Sequence, residues 1–401
     1  MKESPTITKV EYVHFSHVLD HLGTDYNGFN MVYVPGGKYQ QSGTVVRIHT
    51  DKGLVGEYPN ANGLAQTEIR ALSRYLIGKD ALAREHIYQD LKRGSRQWSG
   101  SGVGVIDICL WDIAGKFYDE PLFRLLGGEL RPLKAYASTL HGDENGGLTT
   151  VEDFENFAWQ CLEMGYQAFK VHGWGLARDN IDREIKNVLN LGHKFAGKLD
   201  LLTDPACEIK NFGDALRYGR ACDEANFFWW EDPFRDGGVS QFAHRKLRQM
   251  VKTPLLQTEH IRMLEQHVDF IVADATDYVR AGAHEDGGIT GAMKIAHASE
   301  GFGLDVELHG PGPVHRHLMS AIRNTNFYEL GLVHPQVPTM QPPVYLNYTD
   351  DLDCIDENGY VYAPEGPGIG VDLDWDWINY HKTGEEIVAE EDSSAVTVGP
   401  Y

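Results

Sequence analysis

The chain has 401 residues, more than one small core can serve, so it calls for two domains or for one barrel with an added layer. With 42% hydrophobic and 23% charged residues it has the make-up of a soluble globular protein, and no apolar run approaches the roughly 18 residues of a membrane span. Its 36 basic against 58 acidic residues give a formal charge of -22, a field that repels nucleic acid and anionic lipid, so an anionic substrate would have to be held by local cations.

The opening residues, MKESPTITKVEYVHF, place no apolar segment behind a basic start, which predicts a protein that stays in the cytoplasm. Five scattered cysteines (Cys109, Cys161, Cys207, Cys222, Cys354) without a CxxC pair read as reduced, mostly buried thiols rather than disulfides or zinc ligands. Residues 21–40, rich in Gly, Asn and His, lack periodicity and read as a mobile loop; His14, His17 and His21 in or before it default to loop surface. Residues 43–57, GTVVRIHTDKGLVGE, alternate around a DKG turn and predict a β-hairpin. From about Gln66 to Gly127 the spacing turns helical, with Ile106, Leu110, Ile113 and Phe117 at intervals of three and four.

From about Pro132 short apolar runs (QAFKVH, LDLLTD, NFFWWEDPF, PLLQTEH, DYVRAG, LDVELHG) alternate with amphipathic stretches. Strand and helix in alternation predict a parallel sheet, and six or more such units in about 200 residues favour closure into a (β/α) barrel. An open doubly wound sheet is the weaker reading, because no strand runs into GxGxxG at a helix start. The acidic tail after Asp351 predicts a last fifteen or so residues without fixed structure unless a partner strand holds them.

Three strand candidates end in acids: Asp204 in LLTDP, Glu231 in WWEDP and Glu259 in LLQTEH, at spacings of 27 and 28 residues. One strand, one helix and two loops fill about that length, so the spacing delivers all three carboxylates to the same rim. Converging carboxylates require a cation, and hard oxygen donors suit magnesium. The competing reading makes each acid a helix cap, which three in phase disfavour; Asp232, next to Glu231, is read as such a cap.

One strand earlier, Lys170 and His172 stand two apart in QAFKVH and so point to the same side. Side by side they should depress one another's proton affinity and yield a neutral base. His309 closes LDVELHGPG, three strands after Asp204's by this reading and across the mouth from Lys170. Bases on two sides of one carbon suit racemisation or elimination. His315 and His317 in PVHRHL look like a helix start, and His260 should point away from Glu259.

Together these segments resemble the mandelate racemase branch of the enolase superfamily, from about residue 43 to 375. The likeness includes IDICLWDIAGKFYDEPLFRLLGG, the three acid-ended strands, GGITGAMKIAHASEGFG, His309, and Glu329 in NFYELG. The resemblance implies a modified TIM-like (β/α) barrel at 131–354 under an α+β capping domain at 1–130 that is joined by the C-terminal segment 355–401. It implies Asp204, Glu231 and Glu259 as Mg2+ ligands, Lys170 and His172 as the Lys-x-Lys/His pair, His309 as the opposing histidine, and Glu329 as the acid that hydrogen-bonds a substrate carboxylate. It implies abstraction of the proton α to that carboxylate through an enediolate, and relatives suggest even-numbered homo-oligomers.

One position departs. The family's Asp partner of the histidine should stand at the end of the preceding strand, where this chain has Gly282; either Glu285 or Asp286 reaches round, or something else orients His309. That points to His309 as a general acid and favours dehydration of an acid sugar, an aldonate or aldarate, to a 2-keto-3-deoxy acid. The polar and aromatic residues His21, Tyr26, Asn27, Asn30 and Tyr33 suit such a polyhydroxylated chain. A cycloisomerase or racemase shares the first step; a sugar-acid binding protein without turnover is the reading from another class.

Overall fold

The structure, a computed structural model, describes residues 3–175, 181–337 and 339–391. Its first third is a sheet covered by helices: β1 (Ile7–Thr24), β2 (Met31–Thr50) and β3 (Val55–Tyr58), then α1 (Gly63–Leu76), α2 (Arg84–Gly94), α3 (Ser101–Tyr118) and α4 (Leu122–Leu125). β2 and β3 form the hairpin expected around the DKG turn, with Val46 opposite Tyr58 and His49 opposite Val55. α3 lies so close on this sheet that a side chain at Gly56 would meet the Cys109 carbonyl, which explains a glycine inside a strand.

The expected loop at 21–40 is instead the far half of a long antiparallel ribbon, in which β1 and β2 pair from Ile7↔Thr50 out to Thr24↔Met31. The tip closes because the Asp25 carboxylate accepts from the backbone N–H of Asn27 and Phe29 and from Asn30 Nδ2. His14, His17 and His21 are therefore strand residues, and His17 is buried.

The barrel strands are β4 (Leu133–His141), β5 (Ala168–His172), β6 (Asp200–Thr203), β7 (Trp229–Glu231), β8 (Leu255–Gln257), β9 (Tyr278–Ala281), β10 (Asp305–Leu308) and β11 (Tyr328–Val333). Between them run α5 (Val151–Met164), α6 (Ile181–Phe195), α7 (Phe212–Ala225), α8 (Gln241–Arg248), α9 (Met263–Val272), α10 (Gly288–Phe302) and α11 (Pro313–Ala321). Every neighbour from β4 to β10 pairs in parallel, and β11 returns to pair with β4. The ring is nearly closed. At the β10–β11 seam no strand ladder forms among the described residues, and the Glu307 carboxylate bridges the gap by accepting from Asn326 N, Asn326 Nδ2 and Phe327 N.

Tyr136, Ala168, Leu202, Trp229, Leu256 and Phe327 meet inside the ring as an apolar plug. Strand alternation then carries polar residues two places further along the same inward face: Lys170 after Ala168, Asp204 after Leu202, Glu231 after Trp229, Glu329 after Phe327. β10 lies four strands after β6, not three, because DYVRAG (β9) also intervenes, and it stands three places from β5 around the ring rather than directly opposite.

After the barrel, β12 (Tyr360–Val361) pairs with the start of β4, α12 (Trp375–Tyr380) follows, and β13 (Lys382–Glu390) adds itself to the outer edge of β1. The acidic tail is thus held by a strand of its own chain as far as Glu390; residues 392–401 lie outside the described residues. The pattern α11 begins with Pro313 at its first turn, as PVHRHL suggested, with His315 and His317 buried.

Candidate active site

Carboxylate oxygens of Asp204, Glu231 and Glu259 all lie within 4.8 Å of one another at the rim of the barrel. Glu259 arrives by a break in the pattern. After Leu256 the inward place belongs to Thr258, but Thr258 is left-handed (φ 93) and its hydroxyl donates to the Arg280 carbonyl, so the next side chain turns into the mouth. Burial, with Glu231 and Asp204 beside it, pushes the Glu259 carboxyl up to about 8. A hard, all-oxygen donor set that repels itself fits a divalent cation such as Mg2+. Asp232 is not a cap: α8 starts at Gln241 under Ser240, and Asp232 is buried with its Oδ2 2.9 Å from His260 Nε2. His260 consequently faces the same cavity rather than away from it.

Lys170 Nζ lies 2.8 Å from Glu231 Oε2, 2.9 Å from Glu329 Oε1 and 3.5 Å from Asp204 Oδ2. Burial alone would lower the ammonium's proton affinity, but Glu231 and Glu329 outweigh it and hold Lys170 well above its ordinary value. The pairwise argument with His172 for a neutral base left these carboxylates out, and they favour the charged form of Lys170. His172 meets Lys170 at the same oxygen, Asp204 Oδ2. Its Nδ1 lies 2.7 Å from the Thr139 carbonyl, which can only accept, so Nδ1 donates and Nε2 is the edge turned to Asp204 Oδ2 at 3.2 Å.

His309 follows β10, partly exposed, with Nε2 3.3 Å from Glu259 Oε1. Glu329 is used on both oxygens: besides Lys170, its Oε2 takes Arg280 Nη2 at 2.5 Å and the Gly310 N–H at 2.7 Å. Burial would raise its carboxyl, yet Arg280, Lys170 and His309 hold it well below the usual carboxylate range. Arg280, which the sequence reading passed over, is wholly buried inside the ring, with Nε 2.7 Å from Glu231 Oε1 and Nη2 donating to the Tyr136 hydroxyl. An arginine in the middle of an apolar strand, in phase with the plug residue Tyr278, was the available signal.

Lys170, His172, Asp204, Glu259, His309 and Glu329 line one cavity of about 750 Å³. The cavity is lined as well by Asn30 and Gln41 from the β1–β2 ribbon, His141 at the end of β4, Met340 and Gln341, and by Asp232 and His260. Gln41 Oε1 is buried there without a hydrogen-bond partner. His141 packs against His172 with ring centroids 4.9 Å apart and planes tilted by 42°, and burial with that neighbour pushes its proton affinity down to about 3.

Residues 153–377 match the profile described as enolase C-terminal domain-like, and residues 32–127 match the mandelate racemase / muconate lactonizing enzyme N-terminal domain. The chain belongs to the enolase superfamily. Among its superfamily relatives, a D-mannonate dehydratase of Caulobacter vibrioides is 26% identical over 386 residues, covering 84% of this chain and 90% of that one. A D-xylonate dehydratase of Haloferax volcanii is 24% identical over 373 residues, 87% of either chain. A magnesium complex of D-glucarate dehydratase from Agrobacterium tumefaciens superposes with a TM-score of 0.83 at 27% identity, covering 94% of this chain and 99% of that one. No helix among the described residues is long and apolar enough to cross a membrane.

Proposed function

We propose that the protein is a lyase that dehydrates an acid sugar to a 2-keto-3-deoxy acid, with residues 131–354 as the catalytic barrel and residues 1–130 together with 355–401 as its cap. The observation that carries this is the convergence of Asp204, Glu231 and Glu259 within 4.8 Å, in a cavity that Lys170, His172 and His309 also line. The likeness to superfamily members named as mannonate, xylonate and glucarate dehydratases supports it.

Asp204, Glu231 and Glu259 would hold Mg2+, which when bound neutralises charge that builds on the substrate carboxylate. The chain's own groups divide the proton work. His172, its Nδ1 spent on the Thr139 carbonyl, turns Nε2 to the cavity as the base for the α-proton. Lys170 stays an ammonium and offsets the charge of the resulting enediolate. His309, reached by solvent, donates a proton to the departing β-hydroxyl. Glu329 borders the carboxylate site and fixes Lys170 and Arg280. The amides of Asn30, Gln41 and Gln341 along the same cavity suit a chain of hydroxyls.

The test is proton NMR of the purified protein with Mg2+ in D2O against a panel of aldonates and aldarates, beside Lys170→Ala and His309→Asn. A 2-keto-3-deoxy product supports the dehydratase. Deuterium at the α-carbon with no net product moves the assignment to a racemase, and silence across the panel moves it to lactones or to a binding role.

A further inference from the structure

The strand ends that carry Asp204, Glu231 and Glu259 bring a second set of donors to the rim a few residues later: Cys207, Asp232 and His260. Ligand atoms of these three side chains all lie within 4.8 Å of one another, and His260 Nε2 stands 2.9 Å from Asp232 Oδ2. The loops hold the set in place. Cys207 N donates to the Asp232 carbonyl at 2.9 Å, and Ala206 N donates to Asp204 Oδ1 at 2.7 Å, so the loop bearing the sulfur is tied to both strand ends. The chain passes close again at Gly238, where a Cβ would lie 2.9 Å from His260 Cδ2 and 3.0 Å from Asp232 Oδ1. A glycine there lets the backbone close on the pair with no side chain in between.

An ion pair that only neutralised Asp232 would need neither of two further features. Asp232 is 1% exposed, and its Oδ1 has no hydrogen-bond partner among the described residues, a costly state for a carboxylate oxygen. A free thiol, that of Cys207, stands beside it. One sulfur, one imidazole nitrogen and one carboxylate oxygen are donor types of a tetrahedral zinc centre whose fourth place stays open. The set is softer than the all-oxygen set of Asp204, Glu231 and Glu259, which suits a hard cation instead. We propose that Cys207, Asp232 and His260 form a second cation site, selective for Zn2+ or a similar borderline metal, next to the all-oxygen site. On binding, the thiol releases its proton to solvent and the contact between His260 and Asp232 gives way to the metal. No CxxC spacing announces such a site, because its donors come from three strand ends. All three residues line the same cavity as Lys170 and His309, so a cation held here narrows that cavity without taking the ligands of the all-oxygen site.

Co2+ is the probe, since it takes zinc's geometry and reports a bound thiolate by charge-transfer absorption in the near ultraviolet. In excess Mg2+ the protein is expected to take up Co2+ with that absorption and with the visible bands of four-coordination, and Zn2+ is expected to bleach both by displacing it. Cys207→Ser should abolish the near-ultraviolet band. His260→Ala should weaken Co2+ binding by at least the roughly ten- to a hundredfold that loss of an outer-sphere partner costs, and it decides the matter where Cys207→Ser fails to fold. Asp204→Asn, which cripples the all-oxygen site, should leave the band in place. Absence of a thiolate band in the parent protein overturns the proposal, as does a band that survives in Cys207→Ser, one that is lost in Asp204→Asn, or Co2+ affinity unchanged in His260→Ala. The readout is independent of turnover, so it holds even if no acid sugar proves to be a substrate.

Discussion

Lys170 Nζ and Glu231 Oε2 meet at 2.8 Å with both side chains withdrawn from water. A buried pair of this kind resists removal of one member more than replacement of both, since the survivor keeps its desolvation cost without its partner. Lys170→Ala should cost about 3–5 kcal/mol in the metal-free protein and lower kcat by roughly 10²–10³. Urea unfolding and steady-state kinetics check the two figures separately; wild-type kcat in a folded Lys170→Ala protein would remove Lys170 from the chemistry.

The same reasoning makes the three-carboxylate cluster a source of metal-linked stability. Mg2+ at about a hundred times its Kd should raise unfolding free energy by about 2.7 kcal/mol. Asp204→Asn or Glu259→Gln should shrink that gain while relieving repulsion in the metal-free state. Thermal melts with Mg2+ and with EDTA measure both; a melting temperature indifferent to Mg2+ would turn these acids into structural groups.

Arg280 should matter beyond its charge. Its guanidinium reaches Glu231, Glu329, the Tyr136 hydroxyl and the Leu308 carbonyl from one planar group, which an ammonium cannot imitate. Arg280→Lys and Arg280→Met are both expected to lose stability, by about 3–5 kcal/mol for the methionine. Pairing Arg280→Met with Glu329→Gln should recover part of it, and a strictly additive pair in denaturant titrations would contradict this coupling.

Glu307 gives the barrel seam a pH dependence. Burial pushes its carboxyl up to about 7, with Asn326 and Phe327 pulling the other way. The folded chain therefore holds this proton more tightly than the unfolded chain. The stabilisation is complete below about pH 4.5 and is lost as pH rises through about 7. Glu307→Gln, which cannot ionise, should lose the parent protein's fall in stability between about pH 5 and 8, at a pH-independent cost because its amide nitrogen cannot accept the N–H bonds that the second carboxylate oxygen takes. Unfolding curves at several pH values test it; parallel pH profiles for the two proteins would contradict the assignment.

Much of the site was legible because strand alternation is local. Ala168, Lys170 and His172, or Trp229 and Glu231, share an inward face whatever the rest of the fold does. Glu259 was found by spacing, although alternation alone would have chosen Thr258, whose left-handed backbone no composition reveals. Arg280 stayed hidden because a lone basic residue reads as solvated until the ring around it is closed. The ribbon tip was missed since Asp25 organises it through backbone N–H groups, a device that leaves no periodic trace. The raised proton affinity of Lys170 depended on Glu329, brought in from 159 residues away, and only the closed barrel supplies that contact.

The pairing of β13 with β1 sets an order of events during synthesis. Lys9 lies opposite Glu390, so one flank of β1 has no β13 partner until residues as far on as Glu390 have emerged. At about 5–20 residues per second that interval is on the order of tens of seconds, through which an unpaired edge is open to wrong partners. The half of the ribbon that carries Asn30 and Gln41 to the cavity lies beyond the β13 pairing, which spans Lys9 to Phe15 of β1. Chains broken off before Lys382 would keep the barrel and its acids but leave the outer edge of β1 unpaired.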